Sequence, residues 1–493
     1  LIDEIEITIA KFIYTGILAE DTLMKKIGRY IVRGQLGRGG MGRVYKVEMP
    51  VTGKIVALKL LKPDPLLTDL LGLENIRGMF VREAVTMANL KHPNLLDVWD
   101  FDEAEGMPFY IMDYHCNNLG TMIGESHMIE KPSRRIPAEK AVRYIRQILE
   151  GLACLHYAGV VHRDIKPFNV LITDYDTVKI CDFGLSKMRG YPFRGPSNLK
   201  VGTPGYASPE QQKDPDAVDF SADLFSVGVM FYRMLTGILP MKDPASPQAH
   251  NPDLDVFWDR FLLKAIEPSP LRRYRRARSM LAALDDVYAV WRGKQEKICR
   301  YPYPTGLEDL ASDAPATVEY EKPRSRPLNV DLKKARRLFG LDELFRPQVY
   351  TENDFNVDVD DVVADRATGL LWERSGSEYP MTWDRARHYV RGLNDQGFSG
   401  RTDWRLPTVA ELTTLLMKTY PQETLCISSV FDETQRGLWS SDRRSPAAAW
   451  YVSLDLGFVA WHDHTARCYV RAVCDRSGST DEFNAAQATG ERS

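Results

Sequence analysis

The 493-residue sequence is poor in cysteine, has no long uncharged apolar run and carries no excess of charge of either sign. Seven cysteines, none paired as C-x-x-C, are too few to staple a chain of this length and give no zinc-ribbon spacing. A disulfide scaffold is excluded, and reduced thiols in a cytoplasmic setting are expected. Lys and Arg number 64 against 67 Asp and Glu, a net charge of −3, which lacks the basic excess of a dedicated nucleic-acid binder. The most apolar stretch, Leu224 to Met241, contains Arg233 and Pro240, so a buried core helix is expected there rather than a membrane span. Residues 1–23 set Asp3, Glu4, Glu6 and Lys11 among their apolar positions and so lack the apolar core of a signal peptide. The chain starts at Leu1, and Met24 opens MKKIGRYIV ahead of the first expected strand, so residues 1–27 read as an N-terminal extension. What is present is globular: 44% hydrophobic and 27% charged residues, enough for roughly two to four domains.

Residues 28–62 alternate apolar and polar positions around a glycine cluster, which predicts strand, tight turn, strand. Phe80, Ala84, Met87 and Leu90 share one face of a helix expected over 76–90. Strands are expected near 96–101 and 108–113, and from Pro137 onward the pattern is mainly helical to about 292. Pro302, Pro304, Pro315, Pro323 and Pro327 then mark a linker. A short basic helix is expected within 331–345, and a second compact region from about 350 to 476 holds six of the nine tryptophans. Residues 477–493 are small and polar and read as a disordered tail.

Gly37-Arg-Gly39-Gly-Met-Gly42-Arg-Val44 fits G-x-G-x-x-G-x-V. A dinucleotide fingerprint would need a helix directly after it; here Tyr45-Lys-Val continues as strand, so the loop joins two strands. Ala57-Leu-Lys59, Glu83 on the next helix, His162-Arg163-Asp164-Ile-Lys166-Pro-Phe168-Asn169, Asp182-Phe-Gly and Ser208-Pro-Glu210 follow in order. This series resembles the protein kinase family of the bacterial serine/threonine type over residues 28–293, with lobes at 28–113 and 114–293.

The resemblance implies a role for each residue. Lys59 would hold the ATP phosphates and be pinned by Glu83. Asn169 and Asp182 would hold Mg²⁺, with Mn²⁺ as a substitute, and Asp164 would take the proton of the attacking hydroxyl beside Lys166. Gly37, Gly39, Gly42, Val44 and Ala57 would line the nucleotide site. Met112 would be the gatekeeper, with Asp113 to His115 as the hinge against adenine. Asp223 would start the central helix, and Arg273 would pair with Glu210. Arg163 before the catalytic aspartate implies activation by a loop phosphate, with Ser197 as the first candidate. Thr203 is the second and is expected to line the substrate groove. Ser208 and Phe168 depart from the usual residues at their positions. The complete set argues against a pseudokinase, in which a key lysine or aspartate is typically lost.

The C-terminal region offers no comparable catalytic set. Its marks are Thr368-Gly-Leu-Leu-Trp372, Thr382-Trp383, Asp403-Trp-Arg-Leu-Pro-Thr408, Trp439-Ser-Ser441 and Val470-Arg-Ala-Val473. They resemble the bacterial family that includes the C-terminal domain of a Legionella collagen-like adhesin, itself similar to C-type lectins and the formylglycine-generating enzyme. The implied architecture is therefore α+β: a bilobal kinase fold, a Pro-rich linker with a short helix at 294–349, and a small α+β C-type-lectin-like domain at 350–476. Core packing is the favoured reading for Trp450 and Trp461. The candidate ligand face comprises Ser441, Asp442, Arg443, Trp450, Asp455, His462 and His464; two histidines at this spacing are a weak metal pattern. Expected partners are Ser/Thr-bearing protein substrates, an unidentified protein or small-molecule ligand for the second domain, and a second copy for trans-autophosphorylation, with no nucleic acid and no membrane span. The rival readings are a variable ligand-binding protein carrying a regulatory kinase and a pseudokinase scaffold.

Overall fold

The computed structural model describes residues 26–125, 131–182, 187–188, 203–214, 218–241, 243–299, 322–357, 361–418 and 425–476. Most of the expected N-terminal extension, Ser197, residues 300–321 of the expected linker and the tail lie outside the described residues. The chain divides into two compact units, Leu1–Tyr301 and Pro302–Ser493.

In the first unit, β1 (Lys26–Ile27), β2 (Tyr30–Arg38), β3 (Gly42–Glu48), β4 (Ile55–Leu61), β5 (Val98–Ala104) and β6 (Met107–Asp113) form one sheet in the order β1-β2-β3-β4-β6-β5. Every pairing is antiparallel. β4 lies between β3 and β6, and all of its residues but Ile55 are buried, so its apolar run does not alternate. Between β4 and β5 the chain forms α1 (Pro65–Leu71) and α2 (Leu73–Asn89). α2 buries Phe80, Ala84 and Met87 on the face read from the sequence.

The helical lobe contains α3 (Leu119–Ile123) and α4 (Ala138–Tyr157), which buries Ile145, Ile148, Leu149 and Leu152. Its short strands are β7 (Asn117–Asn118), β8 (Val160–Val161), β9 (Val170–Ile172), β10 (Val178–Ile180) and β11 (Lys187–Met188). α5 (Pro209–Lys213) precedes α6 (Phe220–Thr236), which is buried almost throughout. α6 starts at Asp219, whose side chain accepts the Ser221 N–H, and stops at left-handed Gly237. This helix accounts for the apolar run at 224–241; among the described residues no helix is long and apolar enough to cross a membrane. α7 (Pro247–His250), α8 (Val256–Ala265) and α9 (Ala277–Cys299) complete the lobe. Gly228 lets α6 and α8 touch: a Cβ there would lie 2.7 Å from that of Ala265.

The second unit has two sheets. β12 (Phe355–Val357), β13 (Val362–Asp365), β14 (Leu370–Glu373) and β18 (Val473–Asp475) form one; β15 (Gly437–Ser445), β16 (Ala448–Ser453) and β17 (Phe458–Asp463) form an antiparallel meander. Helices α10 (Leu332–Leu338), α11 (Trp383–Asp395) and α12 (Val409–Thr414) join them. A capping box between Thr408 and Glu411 starts α12.

Here the structure differs from the expected linker. Residues 294–299 continue α9, and 322–349 are part of the second unit. Val330, Ala335, Phe339 and Leu341 enter its core beside Trp372, Leu412 and Trp450. Trp450 Nε1 donates to the Val330 carbonyl at 3.0 Å, and the Phe339 ring meets Trp450 edge-on at 5.3 Å. The proline spacing marks where this segment begins, but the apolar residues after it have a core to enter.

Candidate active site

Lys59 projects from β4, where its strand partners are Val44 on one side and Tyr110 on the other. Its ammonium lies 2.8 Å from Glu83 Oε1 on α2 and 2.9 Å from Asp182 Oδ1. Burial alone would lower the Lys59 pKa, but Asp182 and Glu83 outweigh it and hold the lysine charged, well above its ordinary value. Burial raises the Glu83 carboxyl against the pull of Lys59. Tyr110 donates to Glu83 Oε1 at 3.0 Å. Its place was unmarked in the sequence, where Phe-Tyr-Ile reads only as strand.

Asp182 is placed differently. Its side chain is 49% exposed, and its backbone sits at φ 65, a region costly for a non-glycine residue. The Lys59 ammonium lowers its pKa to about 2, so it stands ionised beside the lysine.

The segment from His162 to Asn169 lies between β8 and β9. Arg163 also has positive φ, at 69. A buried carboxylate holds this bend: Asp223 Oδ2 accepts the His162 backbone N–H at 2.9 Å and Oδ1 accepts that of Arg163 at 2.8 Å. His156 Nε2 lies 2.9 Å from the same carboxylate. Asp223, in the first turn of α6, thus ties that helix to the segment 162–169, a contact that the sequence reading did not include.

Asp164 accepts Lys166 Nζ on Oδ2 at 2.7 Å and Asn169 Nδ2 on the same oxygen at 3.0 Å. Oδ1 accepts the Thr203 hydroxyl at 2.8 Å, and Lys166 also donates to Thr203 at 2.9 Å. Burial opposes the Lys166 charge, but Asp164 keeps its pKa raised. Phe168, the unusual residue of this segment, has a specific neighbour. A Cβ on Gly120 of α3 would lie 2.7 Å from two atoms of the Phe168 ring, so the ring occupies space that only glycine leaves. Arg273 meets Glu210 at 2.5 Å and donates to the Ser221 carbonyl at 3.2 Å.

The three glycines at the motif positions of the loop, Gly37, Gly39 and Gly42, are not equivalent. A Cβ at Gly42 would collide with the Leu60 carbonyl at 2.3 Å, so packing against β4 requires glycine there. Gly37 has nothing within 4 Å of its would-be Cβ, and Gly39 only the Gly42 carbonyl at 3.9 Å. Neither has positive φ. Neither backbone conformation nor protein packing demands these two glycines, and the open space beside them fits a ligand lying against the loop. Ala57 is buried and pairs with Met112, itself buried at the end of β6; Asp113 forms a 3.8 Å ion pair with Lys54. Burial lowers the His115 pKa, so this ring is held neutral.

The protein kinase domain pattern matches residues 30–280, just over half of the chain. The chain belongs to the protein kinase family. Among curated kinases, it is 32% identical over 284 residues to the serine/threonine-protein kinase pkn3 of Myxococcus xanthus, covering 52% of this chain and 50% of that protein. It is 34% identical over 275 residues to the serine/threonine-protein kinase PksC of Streptomyces coelicolor, covering 51% and 48%. The chain thus spans about half the length of the curated kinases it matches. The solved kinase domain of Mycobacterium tuberculosis PknI aligns over all of its length and 55% of this chain, at 25% identity and a TM-score of 0.42. Residues 361–474 match a second family, the Lcl C-terminal domain.

In that second region the candidate ligand face is corrected. Trp450 is fully buried, and Asp442 is buried beneath Arg324, accepting also the backbone N–H groups of Leu328 and Val409. Asp455 is buried against Arg436, and His462 is buried and stacked on Tyr451 at 4.3 Å. These four residues hold the scaffold together. Ser441 bonds the Pro407 carbonyl, and His464 stacks on Trp383 at 4.4 Å. Arg443 remains exposed. Of the six tryptophans only Trp461 reaches the surface, at 37% exposure beneath the Arg444 guanidinium. Among the described residues no cluster of three His, Cys, Asp or Glu side chains forms a metal cage.

Proposed function

We propose that the chain is a serine/threonine protein kinase that uses ATP with Mg²⁺, or Mn²⁺ in its place. The observation that carries this reading is the convergence of Lys59, Glu83 and Asp182 within 2.9 Å contacts. Phosphoryl transfer asks for positioning and for compensation of charge more than for covalent chemistry. When bound, the metal would screen the phosphate charge. Asp182, ionised, and the amide oxygen of Asn169 are hard ligands suited to it; the Asn169 N–H donates to Asp164 instead. Lys59 would hold phosphate oxygens, kept in place by Glu83. Gly37 and Gly39 would let the loop backbone approach.

Asp164 would orient a substrate hydroxyl and take its proton on Oδ1. The Thr203 hydroxyl donates to that oxygen at 2.8 Å, the kind of contact a substrate hydroxyl would make there. Lys166 would meet the transferred group on the same side. These contacts favour Thr203 as a groove residue over Thr203 as a phosphate acceptor, and leave Ser197 as the proposed regulatory site.

The second unit is proposed as a binding module of C-type-lectin-like fold, supported by the Lcl C-terminal match and by two sheets around a core that holds Trp372 and Trp450 among aliphatic side chains. It would recruit a substrate or sense a ligand through surface other than the buried residues named above. Cytoplasmic location and trans-autophosphorylation between two copies belong to the same proposal.

The test is intact and peptide mass spectrometry after incubation with Mg·ATP, beside Asp164→Ala. Added phosphate in the wild type and none in the variant is expected. Nucleotide binding with no phosphate in either would replace this reading with a pseudokinase scaffold.

A further inference from the structure

The glycine-rich loop and the helix that carries Glu83 are connected through α1, a helix outside every motif of the sequence. Its N-cap is Asp64, which makes contacts in two directions. Oδ1 accepts the Leu66 backbone N–H at 3.1 Å and closes the helix N-terminus. Oδ2 accepts Arg38 Nη2 at 2.9 Å. The Asp64 backbone N–H donates to the Gly40 carbonyl at 2.9 Å, and that of Lys62 donates to the Met41 carbonyl at 3.3 Å. The Leu67 side chain would lie 3.5 Å from a Cβ on Gly40, ordinary contact distance. Arg38 ends β2 at the base of the glycine loop, and Gly40 and Met41 belong to its tip. At its other end α1 turns at Gly72, φ 74, directly into α2, where Asn75 Nδ2 donates to the Leu71 carbonyl at 2.8 Å.

We propose that Asp64 is a positioning residue for the nucleotide: it clamps the tip of the glycine loop to α1 and so couples that loop to α2 and the Lys59–Glu83 pair. A glycine-rich tip has the most backbone freedom to lose on closing over a phosphate, so a contact that restricts it beforehand strengthens binding. Glycine residues provide the approach, and the clamp provides the position. An ordinary N-cap uses its carboxylate on its own helix; this one divides its two oxygens between the helix and the loop. The functional consequence rests on the kinase reading, whereas the contacts do not.

Arg38→Ala and Asp64→Asn each cut the ion pair, and asparagine preserves the cap. The pair is 38% and 42% exposed, so its loss is felt as a small factor. In the full chain the Kd of a fluorescent ATP analogue and the KM for ATP rise about two- to five-fold in both variants, with kcat changed less. The double variant is no weaker than either single, because both remove the same contact. Amide exchange over residues 37–42 in nucleotide-free protein becomes faster in both. The melting temperature stays at the wild-type value in Asp64→Asn and falls in Asp64→Ala, which also loses the cap.

Unchanged analogue affinity in both single variants, effects that add in the double variant, or unchanged exchange would each overturn the proposal. Exchange is read without nucleotide and affinity without turnover. A chain that binds the analogue but transfers no phosphate therefore refutes the kinase reading while the clamp stands or falls on its own measurements. Failure of the wild type to bind any nucleotide overturns the positioning role.

Discussion

The two units use charge in opposite ways. In the first, Lys59 faces two carboxylates, and one of these, Asp182, is half exposed with a strained backbone. In the second, the carboxylates of the candidate face are turned inward: Asp455 is buried against Arg436, and Asp442 is fully buried against Arg324 and two backbone N–H groups. A charge retained at an exposed, strained position serves a ligand more readily than one saturated within the scaffold. The difference teaches that polar residues clustered in sequence mark a site only when the fold leaves them something to bind.

The largest expected effect breaks the first half of this comparison. Asp164→Asn keeps the side-chain shape but removes the base, and phosphoryl transfer should fall about 10²–10⁴-fold, measured at saturating ATP. The counterpart in the second unit is Trp450→Ala. It removes the ring against which Phe339 and the Val330 carbonyl pack, and should cost the second unit about 3–5 kcal/mol in denaturant unfolding. A loss below about 1 kcal/mol would mean that residues 322–349 dock only loosely.

Gly120→Ala sharpens the account of the catalytic segment. Alanine in a helix is normally favoured over glycine by about 1 kcal/mol. Here its methyl group would strike the Phe168 ring next to Asn169. Activity should drop on the order of tenfold to a hundredfold, and Phe168→Ala in the same chain should restore part of it. An active Gly120→Ala single variant would show that the ring can move without displacing Asn169.

The smallest effect concerns acid. The Asp182 pKa is depressed, from an ordinary 3.8 to about 2, so its stabilising contact with Lys59 is complete above the unfolded value and is lost as pH falls through the folded one. The stability difference between wild type and Asp182→Asn should stay constant above about pH 5 and shrink between about pH 4 and 2. Exposure of Asp182 keeps it modest.

The candidate kinase site was legible because the chemistry its family performs requires particular residue types in a particular order. The glycine loop, Lys59, Glu83, Asp164, Asn169 and Asp182 announce themselves in that way. Tyr110, Gly120 and Asp64 do not: each acts through a neighbour distant in sequence, and each is locally an ordinary strand, helix or cap residue. The second unit was less readable for a further reason. β16, Ala-Ala-Trp-Tyr-Val-Ser, is buried on both faces, so no alternation tells core from surface. The segment 322–349 was read with the linker because the prolines from Pro302 to Pro327 lead into it, and the purpose of Val330, Ala335, Phe339 and Leu341 shows only with Trp450 in place.

The central claim is that Lys59, fixed between Glu83 and Asp182, is the organising charge of an active kinase site. Glu83→Gln tests it most directly, in steady-state transfer from ATP to a generic protein substrate with melting followed in parallel. Glutamine removes one of the two carboxylates that hold Lys59 and leaves Asp182, so kcat/KM for ATP should fall about thirtyfold or more, about 2 kcal/mol of transition-state stabilisation, with the fold intact. An unchanged kcat/KM in a folded variant would contradict the account.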